Sequence, residues 1–135
     1  MPKAPLPEPA LALLREPNPA VIAVRRPDGH PMSVATWYLL EDDGTVLVNM
    51  DAGRARLRWM EAHPYVSLSV LEDGAWYTHV SIRGPVVRWE RDPARALADI
   101  DRLSRHYGGD EFGNREAARV SAWIRVEHWH GWELS

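Results

Sequence analysis

The chain has 135 residues, 45% of them apolar and 26% charged, with 16 Lys+Arg against 19 Asp+Glu and a formal net charge of −3. That is the balance of one soluble globular domain, and it argues against a second core and against the basic surplus of a dedicated DNA- or RNA-binding domain. Cysteine is absent, so there is neither a disulfide framework nor a thiolate zinc site. No run approaches the roughly 20 apolar residues of a membrane span, and the proline-rich start is too briefly apolar for a signal peptide, so the expected address is the cytosol.

Residues 1–17 read as a proline-rich N-terminal segment with a short helical turn around Ala10 to Arg15, ahead of a single domain over 18–135. Ala20 to Val24 is a short apolar run of β-branched character, a buried strand. Pro27-Asp28-Gly29 turns it into Met32 to Leu40, and Glu41 to Gly44 turns that into Thr45 to Met50. These three segments form an antiparallel meander. A helix is expected over Gly53 to Ala62, stopped by His63-Pro64. Tyr65 to Leu71 alternates as a half-buried strand, Glu72-Asp73-Gly74 turns, and Trp76 to Glu90 is a long strand whose Gly84-Pro85 marks a bend, bulge or edge. Asp92-Pro93 opens a second helix that carries Leu97, Ile100, Leu103 and Tyr107 inward and ends at Gly108-Gly109. After a polar loop over 110–116, Ala117 to Leu134 runs with period two from Val120 to Val126 into Trp129 and Trp132. Six strands with few helices in so short a chain favour a small closed β-barrel, because closure removes exposed edges.

Among the chemistry-bearing residues, Arg54, Arg56 and Arg58 stand out at a strand-to-helix junction, where free backbone N–H groups and guanidinium groups together suit an anion. Arg54 and Arg58, four apart, share a helical face, and Arg56 points elsewhere unless the helix starts late. The alternative is a solvated basic face. Neither a phosphate-loop lysine motif nor a G-x-G-x-x-G is present. His128 and His130 point to one face of a strand, but no third metal ligand is identifiable, and His30, His63 and His79 have no assigned partner. No serine sits in a G-x-S-x-G elbow, and the acids of Glu41-Asp42-Asp43 lie in a turn, so any catalysis would rest on a bound cofactor. The seven tryptophans, several of them in strand segments (Trp37, Trp76, Trp123, Trp129 and Trp132 among these), suit either plain packing or a planar ligand at a barrel mouth or subunit seam.

Taken in order, Asn18-Pro19-Ala20-Val21-Ile22-Ala23-Val24, Asp28-Gly29-His30-Pro31 leading to Val34-Ala35-Thr36-Trp37-Tyr38, Gly53-Arg54-Ala55-Arg56, Glu61 to Leu68, Tyr77 to Gly84 and Trp129-His130-Gly131-Trp132 resemble the split-barrel flavin/deazaflavin oxidoreductases. This is the pyridoxamine-5'-phosphate-oxidase-like superfamily, and the chain is most similar to its branch that uses the deazaflavin coenzyme F420. The resemblance implies a mainly β fold, a six-stranded antiparallel split barrel of the FMN-binding-protein type with flanking helices, working as a homodimer with two cofactor sites at the seam. It implies that Asn49, Met50, Arg54 and Arg56 hold the cofactor phosphate, with Arg58 in support, and that Thr36 and Trp37 edge the ring system. The family often has lysine where Arg56 stands and asparagine where Trp59 stands. The C-terminal substrate-binding elements of true pyridoxamine phosphate oxidases are not recognisable, which points away from vitamin B6 oxidation. The implied activity is hydride transfer from reduced F420 to a planar conjugated small molecule. An FMN-dependent enzyme of the same fold, or a non-catalytic carrier of flavin, deazaflavin or haem, are the alternatives. F420 carries a phosphate and a glutamate tail, so a cationic groove is required, with Arg25-Arg26 as a candidate second contact for the tail.

Overall fold

A computed structural model describes residues 2–134, which form α1 (Glu8–Arg15), β1 (Ala20–Arg25), β2 (Pro31–Thr36), β3 (Leu39–Leu40), β4 (Val46–Asp51), α2 (Ala55–Ala62), β5 (Tyr65–Glu72), β6 (Ala75–Glu90), α3 (Pro93–His106), β7 (Arg119–Ile124) and β8 (His128–Trp132). The organising element is β6. Its first half pairs with β5 on one side and β8 on the other, while its second half pairs with β7. The antiparallel order β2-β1-β5-β6-β7-β4-β3 therefore folds as two half-sheets sharing one long strand.

The hand-over occurs at Gly84-Pro85, as the sequence indicated. A Cβ on Gly84 would lie 1.8 Å from the backbone oxygen of Arg125, so only glycine lets the β7–β8 connection pass this close. That connection is stitched to the bend by Arg125 N–H to Pro85 O (3.0 Å) and Glu127 N–H to Arg83 O (2.9 Å).

The expected count of six strands becomes eight because two expected strands each divide. Met32 to Leu40 breaks at Trp37-Tyr38, where the fully buried Tyr38 turns inward and its hydroxyl donates to Glu16 O at 2.7 Å. Ala117 to Leu134 breaks over 125–127, where the chain crosses from one half of β6 to the other. In each case a contact distant in sequence interrupts an otherwise continuous β pattern.

One core fills the space between the half-sheets, with Ile22, Val24, Val48, Met50, Leu68, Val70, Val80, Ile82, Val120 and Ala122 among its members. Helix α1 adds Ala10, Leu13 and Leu14 to the same core, so the proline-rich segment leads directly into the body of the fold. Leu47 and Trp123 face outward from β4 and β7 and are covered by Ile100 and Leu103 of α3. This second layer buries β4 on both faces. Asp92 caps α3 by accepting from Arg95 N–H (3.1 Å), with Pro93 at the first helical position.

Candidate functional site

The strand-to-helix junction after β4 is tight. Asp51 accepts from Gly53 N–H through Oδ1 (2.8 Å) and from Arg54 N–H through its backbone oxygen (3.1 Å), which delays the helix to Ala55. Arg54 thus becomes the N-cap of α2 and offers no side-chain acceptor, nor does the first turn hold an acid. Leu57 N–H donates to Arg54 O (3.1 Å), and an arginine at the N-cap leaves the N–H groups of Ala55 and Arg56 to an external acceptor. The late start also re-aims the arginines. Arg56, expected to point away from Arg54, turns into a cavity, while Arg58 is exposed and does not line it.

The cavity encloses about 760 Å³. Its polar end is made by Asn49, Arg56 and Arg119, and its wall by Thr36, Trp37, Tyr107 and Phe112. Trp37 stacks on Tyr107 (centroids 5.4 Å apart, 18° between planes), and Phe112 meets Trp37 edge-on at 6.2 Å. The Tyr107 hydroxyl donates to Asn18 O (2.7 Å), and burial pushes its pKa up to about 12, so the phenol stays neutral. Phe112 is held by Asp101, which accepts from Phe112 N–H (2.8 Å) and takes two bonds from Arg115 (2.9 and 3.2 Å).

A second hollow of about 490 Å³ adjoins the first at Arg56 and is lined by Ser33, Val34, Arg54 and Trp59. Trp59 is a platform: the Arg26 guanidinium lies 5.2 Å from its ring centroid. Arg25, one residue earlier, lines a separate hollow beside Tyr65 and Arg83.

Two carboxylates stand near the cations of the cavity, Asp73 in its lining and Asp51 beside Arg119, but neither forms an ion pair with them. Among the described residues no carboxylate forms an ion pair with Arg54, Arg56 or Arg119. Arg56 Nε is buried without a hydrogen-bond partner. Desolvation, and then the charges of Arg54 and Arg119, hold the Arg56 guanidinium below its ordinary pKa. Arg119 is lowered by desolvation against the opposing pull of Asp51. Crowded, partly dehydrated cations with an orphaned donor are what a phosphate or carboxylate would satisfy.

Of the residues singled out in the sequence, Thr36, Trp37, Asn49 and Arg56 line the cavity and Arg54 lines the adjoining hollow. Met50 does neither; its side chain is 1% exposed within the core. Tyr107, Phe112 and Arg119 are additions. Tyr107 lies at the α3 C-cap rather than on an inward helical stripe, and no local motif marks Phe112 or Arg119. His79 and His130 approach each other (ring centroids 6.0 Å), yet among the described residues no group of three or more His, Asp or Glu side chains is placed to hold a metal.

The model of the pyridoxamine 5'-phosphate oxidase family matches residues 6–133. The chain belongs to that family. Of solved structures, an F420 reductase is 27% identical, covers 93% of this chain and 98% of its own, and superposes with a TM-score of 0.82. A conserved hypothetical protein from Mycobacterium tuberculosis (18% identity, 96% of this chain, 86% of its own, TM-score 0.74) and the General Stress Protein 26 from Bacillus anthracis (15%, 95%, 94%, 0.69) share the fold. No curated protein matches it in sequence. The family's split-barrel fold accounts for the two half-sheets about β6, and the family includes flavin-related oxidoreductases.

Proposed function

We propose that this family member is an F420-dependent oxidoreductase that delivers a hydride to a planar conjugated small molecule. The observation that carries the reading is the pair of guanidinium groups Arg54 and Arg56, neither in an ion pair among the described residues, at two adjoining hollows, one of them walled by stacked aromatic rings. Arg26, which pairs with Asp28, lies over the Trp59 ring beside them. The likeness to an F420 reductase over nearly its whole length supports the same choice. A bound reduced deazaflavin supplies the hydride.

The protein's part is to bind, orient and exclude water. Arg54 and Arg56 hold the phosphate beside the uncapped start of α2, where the helix dipole adds to their charge. Thr36 and Trp37 edge the ring system, and the Trp37–Tyr107–Phe112 wall keeps the cleft apolar where the ring and substrate meet. The exposed hollow over Trp59, with Arg54 and Arg26, takes the acidic tail. No side chain is assigned as the acid, and solvent delivers the proton. Two copies of the chain form the working unit.

Titration of the purified protein with F420, FMN and haem, followed by their distinct absorption bands, tests this reading. Tightest binding of F420, then oxidation of reduced F420 by added conjugated acceptors, is the expected result. Tighter FMN or haem binding, or F420 binding without turnover of any acceptor, overturns it.

A further inference from the structure

Arg119 is the one cation of the cavity that lies far in sequence from the α2 junction, and its setting is built. The β4–β7 register places Asp51 opposite Arg119 and Asn49 opposite Ser121, on the face toward α3. Asn49 has both ends of its amide engaged. Its Nδ2 donates to Ala96 O and to Ser121 Oγ (3.0 Å each), and its Oδ1 accepts from Arg119 Nε at 2.6 Å. The fully buried Ser121 in turn donates to Asp99 Oδ2 at 2.7 Å. A continuous hydrogen-bonded chain thus runs from α3 through β7 and β4 to the Nε side of one guanidinium. The Phe112 ring covers that guanidinium at 4.6 Å.

We propose that Arg119 is the second guanidinium of the phosphate site, closing with Arg56 on one anionic group, and that Asn49 is a positioning residue that aims it. This inference rests on the reading of the cavity as the site of a phosphate-bearing cofactor. With Nε bonded and one face covered, Arg119 keeps only its two terminal nitrogens for a ligand, a ready-made fork for two phosphate oxygens. Arg56 faces the same end of the cavity with its own Nε unpartnered. The nearest competing role for Arg119 is a cross-strand ion pair with Asp51. That carboxylate is instead engaged by Gly53 N–H and forms no ion pair with Arg119 among the described residues. Fixing a charged side chain in advance removes the ordering cost that binding would otherwise carry. Asn49 is therefore spent within the protein and contributes to the phosphate only through Arg119.

The test uses the whole protein with F420, FMN and riboflavin as probes, the last being FMN without its phosphate. Arg119→Ala is expected to weaken F420 and FMN binding by about tenfold to a hundredfold, the range for hydrogen bonds to charged groups, and to leave riboflavin binding unchanged. Arg119→Lys recovers only part of the loss, because an ammonium has no fork. Asn49→Ala weakens FMN binding in the native background and adds no further loss on top of Arg119→Ala, since the two act as one unit. Native FMN affinity in Arg119→Ala, an equal loss for riboflavin, or an Asn49→Ala loss that persists without Arg119 overturns the inference. Arg56→Ala separates the two levels. If it weakens FMN while Arg119→Ala does not, the cofactor reading stands and this assignment falls; if neither matters, the cofactor reading falls as well.

Discussion

Asp101 shows how a single carboxylate shapes the cavity from outside it. Its side chain is 10% exposed, and it ties the 110–116 loop to α3 through Arg115 and Phe112 N–H. The Arg115 hydrogen bond, reinforced by the Phe112 N–H, holds the Asp101 carboxyl below its ordinary pKa against the opposing effect of burial. A carboxylate lowered in the folded state stabilises that state above the unfolded value of about 3.9, and the gain is lost as pH falls through the folded value. Asp101→Asn is therefore expected to lower stability at pH 7 by about 1.5–3 kcal/mol, and the gap from the native protein should close in acid. Melting curves of both proteins from neutral pH down to acid check this; a gap independent of pH would remove the ion pair as its cause. The same substitution loosens Phe112, so cofactor binding at pH 7 should weaken with it.

At the scale of elements, α2 begins without the stabilising features of an ordinary helix start. Its N-cap is an arginine without a capping bond, and no acid stands in its first turn to meet the helix dipole. Arg54→Ser supplies the missing acceptor and is expected to stabilise the protein by about 0.5–2 kcal/mol while weakening cofactor binding. Thermal melting and a cofactor titration on the same sample measure both; a variant that gains stability and binds as before would show that Arg54 is only a solvated charge. The element pattern was largely legible in the sequence. Asp92-Pro93 signalled the start of α3, and the alternation of Tyr65 to Leu71 signalled β5. Misread boundaries share one cause, contacts remote in sequence: Tyr38 reaching Glu16 breaks β2 from β3, and the crossing at Gly84 breaks β7 from β8. Of the candidate site, the sequence marked the locally clustered lining residues Thr36, Trp37 and Arg56 of the cavity and Arg54 of the adjoining hollow. Arg119 lies 63 residues beyond Arg56 in the numbering of the chain, and only the β4–β7 register brings it to the same cavity.

For the whole molecule, the edge strand β2 sets the expected assembly. It is exposed along most of its length, and Val21, Val34 and Trp37 stand bare on or beside it. An open edge flanked by apolar side chains is a surface that a second copy covers, and here it borders the cavity wall formed by Thr36 and Trp37. Sedimentation at micromolar concentration should therefore find a homodimer, and a monomer there would leave the cavity open on this side and sink the expectation.

The overall charge of −3 makes the cationic run an exception on its own protein, and salt should reveal which part of it each cofactor uses. Arg56 and Arg119 are partly buried, whereas Arg54 and Arg26 are exposed to solvent. Exposed charges act over a screening length of about 8–10 Å at ordinary ionic strength, and added salt shortens it; buried contacts are screened far less. On the proposed reading both cofactors would bring a phosphate to the partly buried pair, but only F420 would extend several carboxylates over Trp59 toward the exposed arginines. Its affinity should exceed that of FMN at low salt, and the ratio of the two should fall as salt is added, because the tail contacts weaken before the phosphate contact does. Arg26→Ala should remove part of the advantage and part of its salt dependence together. Affinities for both cofactors at low and high ionic strength decide the matter. If FMN binds more tightly at low salt, or if the ratio stays constant, the exposed groove takes no acidic tail and the FMN-dependent reading replaces the F420-dependent one.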